Sequence, residues 1–373
     1  MFVNRIHLKD YRNFENISIE LNKNLNIFIG DNAQGKTNLL ESIFVSSIGK
    51  SFRFSKDESL IRWGKEESLI KVDYSRDDGP KIINILIQKD SKKAIKTNGL
   101  TIERNSDLVG MTNIVVFSPD SLNLVKGSPS ERRRYLNVEL SQLKPNYKYL
   151  LTRYTKILLQ RNNLLKKISE KPQHRNMMPV WNEHLVVSGT ELIFYRLEYL
   201  KKVMFFSEKI HDRITGGTEK LNLQYKSSLG KINDLNKEEI KRTYYDKLNK
   251  GLEREIIRKA TLYGPHLDDI DILINGMDSK YFSSQGQKRT AALSLILAEI
   301  DVIYEEKNEY PILLLDDVLS ELDNKRKNYL IEFIDSIQTI ITSTDDSDLL
   351  EILKNKEKKI FYLKNGEITR IIE

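Results

Sequence analysis

The octapeptide Gly30-Asp31-Asn32-Ala33-Gln34-Gly35-Lys36-Thr37 fits the pattern G-x-x-x-x-G-K-[ST], which demands a strand ending just before it and a helix beginning inside it. The flanks comply. Leu25 to Ile29 (LNIFI) reads as a buried strand, and Leu39, Leu40, Ile43 and Phe44 recur at helical spacing directly afterwards. Each residue type in the loop suits a nucleoside triphosphate. The glycines let backbone N–H groups close around phosphate oxygens at a helix N-terminus, Lys36 reaches the outer phosphates, and the Thr37 hydroxyl suits a magnesium ion.

A second motif completes the first from far away. Ile312 to Leu315 is a fully apolar strand that ends in Asp316-Asp317, the form of a Walker B strand in phosphate-loop ATPases. Asp316 is expected to hold the magnesium, directly or through water, and Asp317 to act as the general base or water-positioning carboxylate. Lys36 and Asp316 are 280 positions apart, yet both must serve one metal ion. The nucleotide domain is therefore predicted to be discontinuous, with an inserted middle that returns the chain to where it left.

The intervening pattern is helical at its centre. Apolar or aromatic residues at 147, 150, 151, 154, 157, 158, 164, 165 and 168 predict one amphipathic helix. A break from Lys171-Pro172 to Pro179 precedes a second helix, expected over Trp181 to about His211, so the two form a helical hairpin. Towards the N-terminus, Phe2 to Leu8 and Ile17 to Leu21 alternate as strands. Leu69 to Ile102 reads as a meander or hairpin sheet, with Asn98-Gly99 as a hairpin turn. After Gly264-Pro265-His266, the pattern predicts a strand over Ile270 to Ile274, a helix over Ala291 to Tyr304, a helix over Tyr329 to Ile337 and a strand over Thr339 to Thr342.

Charge is distributed unevenly. The net charge is +7, but residues 144–259 carry 25 Lys+Arg against 13 Asp+Glu, which leaves the remainder acidic. A basic insert in a nucleotide-binding chain points to a polyanion such as nucleic acid, although lysine-rich helix surfaces are also commonly just solvated. There is no cysteine, and the five histidines have no ligand spacing, so a structural zinc site is not expected. The first residues lack the apolar stretch of a signal peptide, and the longest apolar run is broken by Glu299 and Asp301. A soluble cytoplasmic protein is the expectation.

Ser283-Ser284-Gln285-Gly286-Gln287 opens the helix before Asp316 and resembles the L-S-G-G-Q signature of the ABC ATPase superfamily, while Ser320-Glu321-Leu322-Asp323 resembles its D-loop. Taken along its whole length, the chain resembles the RecF family of bacterial recombination mediators, related to the heads of SMC and Rad50 ATPases. The residues that carry this are Tyr11 to Phe14, Gly30 to Thr37, Gly49 to Arg53, Phe117 to Asp120, Gly127 to Arg134, Gly264 to His266, Ser284 to Thr290 and Leu313 to Asp323. Two positions depart from the family pattern. Leu267 stands where arginine is usual, and Gln285 replaces the first signature glycine.

The resemblance implies an α/β fold of ABC-type, SMC/Rad50-like head, discontinuous, with an inserted helical lobe. The lobes are expected over 1–128 plus 300–373 and over 129–299. It also implies ATP and Mg2+ as cofactors, a slow, DNA-stimulated ATPase and an ATP-dependent homodimer on gapped or junction DNA. RecO, RecR and RecA are the implied partners, and gap repair, replication restart and the SOS response the implied settings. Ser284, Gly286 and Gln287 would meet the nucleotide held by the opposite copy, with Ser320 and Asp323 close by, while Arg12, Asn13 and Arg53 would lie near nucleotide or DNA. Arg132, Arg133 and Arg134 are similar candidates. Most ABC ATPases carry glutamate at the position of Asp317, which is one methylene shorter and predicts slow turnover. The competing reading is an ABC transporter ATPase subunit, whose motif spacing is usually much shorter.

Overall fold

A computed structural model describes residues 1–53, 56–344 and 347–373. They divide into two compact units, Met1–Leu122 with Ala292–Glu373, and Asn123–Ala291. The cuts expected at 128/129 and 299/300 move to 122/123 and 291/292. The first shift places Asn123–Lys126 with the helical unit, and the second falls inside the single helix Gln285–Lys307, where no loop marks a boundary.

Two six-stranded sheets build the first unit. One is an antiparallel meander in the order Phe14–Glu20, Phe2–Tyr11, Glu67–Ser75, Lys81–Gln88, Ala94–Thr97, Leu100–Ile102. Its alternating strands bury one face, as Glu67–Ser75 shows with Ser68, Ile70, Val72 and Tyr74 inward. Asn98 and Gly99 take φ of 49° and 84°, the left-handed pair that a two-residue hairpin requires. The other sheet runs Glu367–Ile372, Lys358–Lys364, Leu25–Ile29, Thr339–Ser343, Ile312–Asp316, Ile114–Phe117. All its pairings are parallel except that of the last hairpin. Leu25–Ile29 and Ile312–Asp316 are buried at every position, which explains why they are apolar apart from Asn26 and the terminal Asp316.

The helix Lys36–Ile48 packs against strands of both sheets. That position explains why ten of its thirteen residues are buried and why it lacks a polar face. Its small hydroxyls find partners inside: Ser46 Oγ is 2.6 Å from Tyr74 OH, and Ser47 Oγ donates to Thr112 O at 2.9 Å.

The second unit holds the helical hairpin, Pro145–Glu170 and Met178–Thr215, both longer than the pattern predicts. The expected break is a 3-10 turn over Pro172–Met177, and Pro179 sits in the first helical turn, where a missing N–H costs nothing. Leu164, Leu165, Ile168 and Met178 close the hairpin with Trp181, Leu252 and Ile256. A third helix, Lys237–Arg258, and the antiparallel strands Leu221–Lys226, Asp269–Ile274 and Met277–Asp278 complete the unit. In the first unit, the helix expected over Tyr329 to Ile337 differs: it spans Asn324–Phe333, because the Asp323 carboxylate caps it by accepting from Arg326 N at 3.0 Å, and Ile337 is already extended.

Polar side chains are buried at the centre of the second unit. Arg161 reaches Glu255 at 2.6 Å, Asn182 at 2.9 Å and Thr261 at 2.8 Å, and Arg196 reaches Pro265 O at 2.6 Å and Asn137 at 3.0 Å. Both guanidiniums are buried and well bonded, the condition under which such charges are tolerated. Tyr154 OH lies 2.7 Å from His266 Nδ1, and His266 Nε2 lies 3.2 Å from Thr261 O. A carbonyl can only accept, so Nε2 carries the proton and Nδ1 accepts from the tyrosine.

Burial pushes His266 down to about 4, and Arg133, Arg161 and Arg196 act in the same direction against the Thr261 bond. The unfolded histidine, titrating near the ordinary ~6.5, binds a proton that the folded one refuses. Stability from this site is therefore complete above ~pH 6.5 and is lost as the pH falls towards about 4. Melting curves recorded from pH 7 down to 4.5 should show a steeper loss for the unaltered chain than for His266→Gln. Parallel losses would reject the assignment.

Candidate functional site

The loop Gly30 to Thr37 joins the strand Leu25–Ile29 to the helix Lys36–Ile48, with Gly35 as helix cap at φ 108°. That conformation excludes most side chains, and a Cβ on Gly35 would lie 2.5 Å from Asn13 Nδ2. Asn13 is the reason for the close approach: it donates to Gln34 O at 3.0 Å and accepts from Asn38 Nδ2 at 2.8 Å. Lys36 folds back into the loop, its ammonium donating to Gly30 O and to Asp31 O, the latter at 3.0 Å. Burial lowers its pKa against the pull of Asp317, Asp316 and Asp31. The ammonium is thus a nearly buried cation satisfied by carbonyls in place of an anion, and a phosphate would relieve that situation.

The parallel sheet brings the distant motif to the same place. Thr37 Oγ1 donates to Asp316 Oδ1 at 2.7 Å, and Thr342 Oγ1, from the strand between them, reaches the same oxygen at 2.9 Å. Asp317 adopts φ 53°, unusual for a side-chain-bearing residue, and its N–H is held by Thr342 Oγ1 at 3.0 Å. Strand Ile312–Asp316 therefore ends in a fixed bend that turns Asp317 onto the rim of a cavity of about 320 Å³. Asn32, Ala33, Gln34, Gly35, Lys36, Thr37, Asn38 and Arg53 line the rest.

Arg53 and Asn38 line the cavity, with Arg53 Nη1 donating to Asn38 Oδ1 at 2.9 Å. Asn38 was invisible as a site residue because it looks like one more polar position on a helix. Arg12 lies outside the lining of this cavity. Its guanidinium grips Glu41 by two bonds, 2.9 and 2.7 Å, and Ser59 O at 2.8 Å. Glu41 is fully buried and also takes bonds from Tyr11, at 3.2 Å, and Ser51. Burial works to lower the Arg12 pKa, but the Glu41 bond and charge outweigh it and raise the value. Arg12 thus pairs with a carboxylate on the loop helix, and Asn13 holds the loop backbone.

In the second unit, Ser284 caps the helix Gln285–Lys307. Its N–H donates to Gln287 Oε1 at 2.8 Å, and its Oγ accepts from Gln287 N at 3.2 Å, a reciprocal capping box. Because that oxygen is an acceptor here, the hydroxyl proton remains to donate outwards, and Ser284 is exposed. Gly286 follows in the first turn and its carbonyl accepts from Thr290 Oγ1 at 3.0 Å. Ser320 donates to Asp317 O at 3.1 Å, and Asp323 is the helix cap described above, so both serve local structure. The Glu321 side chain lies outside the described residues. Arg132 and Arg133 are also tied locally, to Asp269 at 2.7 and 2.9 Å and to Asp268 O at 3.0 Å. Leu267, in the place of the usual arginine, is about half exposed.

Among the described residues, no cluster of three His, Cys, Asp or Glu side chains could hold a metal, and no helix is long and apolar enough to cross a membrane. A family model for the RecF/RecN/SMC N terminal domain matches residues 2–369. The DNA replication and repair protein RecF of Clostridium tetani is 44% identical over 367 residues, which cover 98% of this chain and 99% of that protein. RecF of Halothermothrix orenii is 44% identical over 373 residues, 99% of each. A solved structure of the recombination mediator protein RecF with ATP, from the RecFOR pathway, has a TM-score of 0.93 at 35% identity, covering 100% of this chain and 98% of that one. An Smc head bound to the C-winged helix domain of ScpA has a TM-score of 0.56 at 15% identity, covering 100% and 97%, a likeness of fold alone. The fold is that of an ABC-type ATPase head. Its phosphate loop, its bent Asp316-Asp317 strand end and its relatives agree over the full length, and the chain belongs to the RecF family of DNA replication and repair proteins.

Proposed function

We propose that this chain binds ATP in the cavity over Gly30 to Thr37 and uses it to join two copies on DNA, as a recombination mediator in gap repair. The observation that carries the reading is the meeting of Thr37 and Asp316 on one point, 2.7 Å apart, at the foot of a cavity rimmed by Lys36 and Asp317. A hydroxyl and a carboxylate are the hard oxygen donors that a magnesium ion takes beside phosphate, so the residues present fit Mg2+. The ion would neutralise charge on the outer phosphates.

The remaining steps belong to the chain's own groups. Lys36 leaves the loop carbonyls for the phosphates, and Ser284 with Gly286 of a second copy meets the γ-phosphate, which makes the nucleotide part of the interface. Asp317 accepts a proton from a water as that water bonds to the γ-phosphorus and the bond to the β,γ-bridging oxygen breaks, giving ADP and phosphate. With the γ-phosphate gone, the interface opens. Duplex or junction DNA lies along the helical unit, where Arg153, Lys156, Lys166 and Lys167 are exposed on Pro145–Glu170 and form no ion pair among the described residues. Cooperation with RecO and RecR in loading RecA, roles in replication restart and the SOS response, and a cytoplasmic location complete the reading.

Sedimentation with and without ATP, on gapped and blunt DNA at two salt concentrations, tests it. ATP should drive the monomer to a dimer, and DNA affinity should fall steeply with salt. Asp317→Asn should hydrolyse ATP about 100-fold more slowly or worse and keep the ATP-bound dimer closed. An unaltered hydrolysis rate in that variant would remove Asp317 from the chemistry.

A further inference from the structure

The Ser284 turn is secured from outside itself. Gln287 Oε1 accepts from Ser284 N–H, so its amide nitrogen faces away, and there it donates to Glu219 Oε1 at 3.0 Å. A backbone donor on one side and a carboxylate on the other leave the amide only one orientation. The other oxygen of Glu219 lies 3.3 Å from Nε2 of His211, fully buried on the long helix Met178–Thr215.

Glu219 is itself tightly placed. The helix before it ends at Gly216 with φ 68°, Gly217 N donates to Asp212 O at 2.9 Å, and Thr218 Oγ1 donates to Thr215 O at 3.0 Å. Immediately after it, Lys220 N donates to Asn275 Oδ1 at 2.8 Å and Asn275 N returns a bond to Lys220 O at 2.9 Å. A residue pinned on both sides, four-fifths buried, hydrogen-bonded to Gln287 and within 3.3 Å of His211 holds a fixed carboxylate.

We propose that Glu219 is a positioning residue: it locks the Gln287 amide, and through it the Ser284 N-cap, in the orientation that presents the serine hydroxyl to a nucleotide held by a second copy. The inference rests on the reading of Ser284 given under Proposed function. A capping box without this anchor still forms, but its glutamine rotates among rotamers, and each productive encounter between copies must first freeze it. The segment that follows the long hairpin helix thereby sets the readiness of the dimer surface through two side chains, Glu219 and Gln287.

The test compares full-length variants by ATP-dependent sedimentation, by nucleotide affinity under monomeric conditions and by melting without nucleotide. Glu219→Ala should weaken ATP-driven dimerisation about tenfold while the monomer's nucleotide affinity stays unaltered. Gln287→Glu should weaken dimerisation by facing one carboxylate with another. Adding Glu219→Gln to it should restore dimerisation, because amide and carboxylate have exchanged places. Dimerisation at the original strength in either single variant, or no recovery in the double variant, overturns the proposal even if Glu219→Ala fails to fold. Ser284→Arg separates the two readings: if it dimerises normally, the signature role itself falls, whereas its failure beside a normal Glu219→Ala rejects only Glu219.

Discussion

Lys36→Met should abolish nucleotide binding at working concentrations while leaving the fold intact or slightly firmer. Removing one partner of a desolvated charge pair costs ~2–5 kcal/mol, or roughly 30- to several-thousand-fold in affinity. The second half of the expectation follows from the surroundings of the ammonium. It is buried against carbonyls and its pKa is lowered by that burial, so its charge is a cost that methionine would not incur. Melting without ATP should be equal or higher for the variant, and the upward shift that ATP gives the unaltered chain should vanish. ATP-dependent DNA retention should vanish with it. A variant that still showed the ATP-induced shift would refute the phosphate-loop assignment.

The other large effect is expected at Gly264→Ala, in the helical unit far along the chain from the loop. Gly264 has φ 128°, and a Cβ there would lie 2.0 Å from Tyr244 OH and 2.5 Å from Tyr154 OH. Neither ring can retreat easily: Tyr244 OH donates to Tyr263 O at 3.1 Å, and Tyr154 OH is engaged by His266. Backbone strain and overpacking add, each on the order of 1–3 kcal/mol, and two buried hydroxyl bonds are disturbed besides. We expect the second unit to lose its cooperative melting transition at 37 °C. Gly230→Ala separates the two causes, since Gly230 has φ 105° with nothing near a Cβ and should cost only the backbone part, ~1–3 kcal/mol. Equal losses in both variants would show that the tyrosine contacts are irrelevant.

Patterns that depend on local order alone were readable. The strand Leu25–Ile29 appears at the expected bounds, Asn98-Gly99 makes its hairpin, and the sheet brings Thr37 to Asp316 as the motifs demand. What escaped depends on contacts between distant residues. The helix Lys237–Arg258 buries only Ile240, Tyr244, Leu248, Gly251 and Glu255, a thin stripe under many charges, so no amphipathic signal stood out. The strand Leu221–Lys226 alternates cleanly, buried then exposed, but it is short and lies in a basic stretch that read as helical. Glu41 and Arg161 are charged residues in the core, and sequence hydropathy places such residues outside. Arg161 did leave a trace: the apolar series steps from 157 and 158 to 164 and 165, and the vacant position on the buried face is 161. The Arg12 pairing escaped for the same reason, because its partner Glu41 is one more polar letter in a helix.

The order of strands around the loop bears on how such a chain is made. Leu25–Ile29 has Thr339–Ser343 on one side and Lys358–Lys364 on the other, so it waits for its neighbours until those later segments have been made. At the usual pace of about 5–20 residues per second, that wait is roughly 15–60 seconds. During it, an uncovered strand that is apolar except for Asn26 is exposed beside a ribosome. The helical unit, contiguous from Asn123 to Ala291, can close meanwhile, but the nucleotide cavity cannot. A chain terminated after Ala291 would therefore carry a folded helical module beside an incomplete parallel sheet.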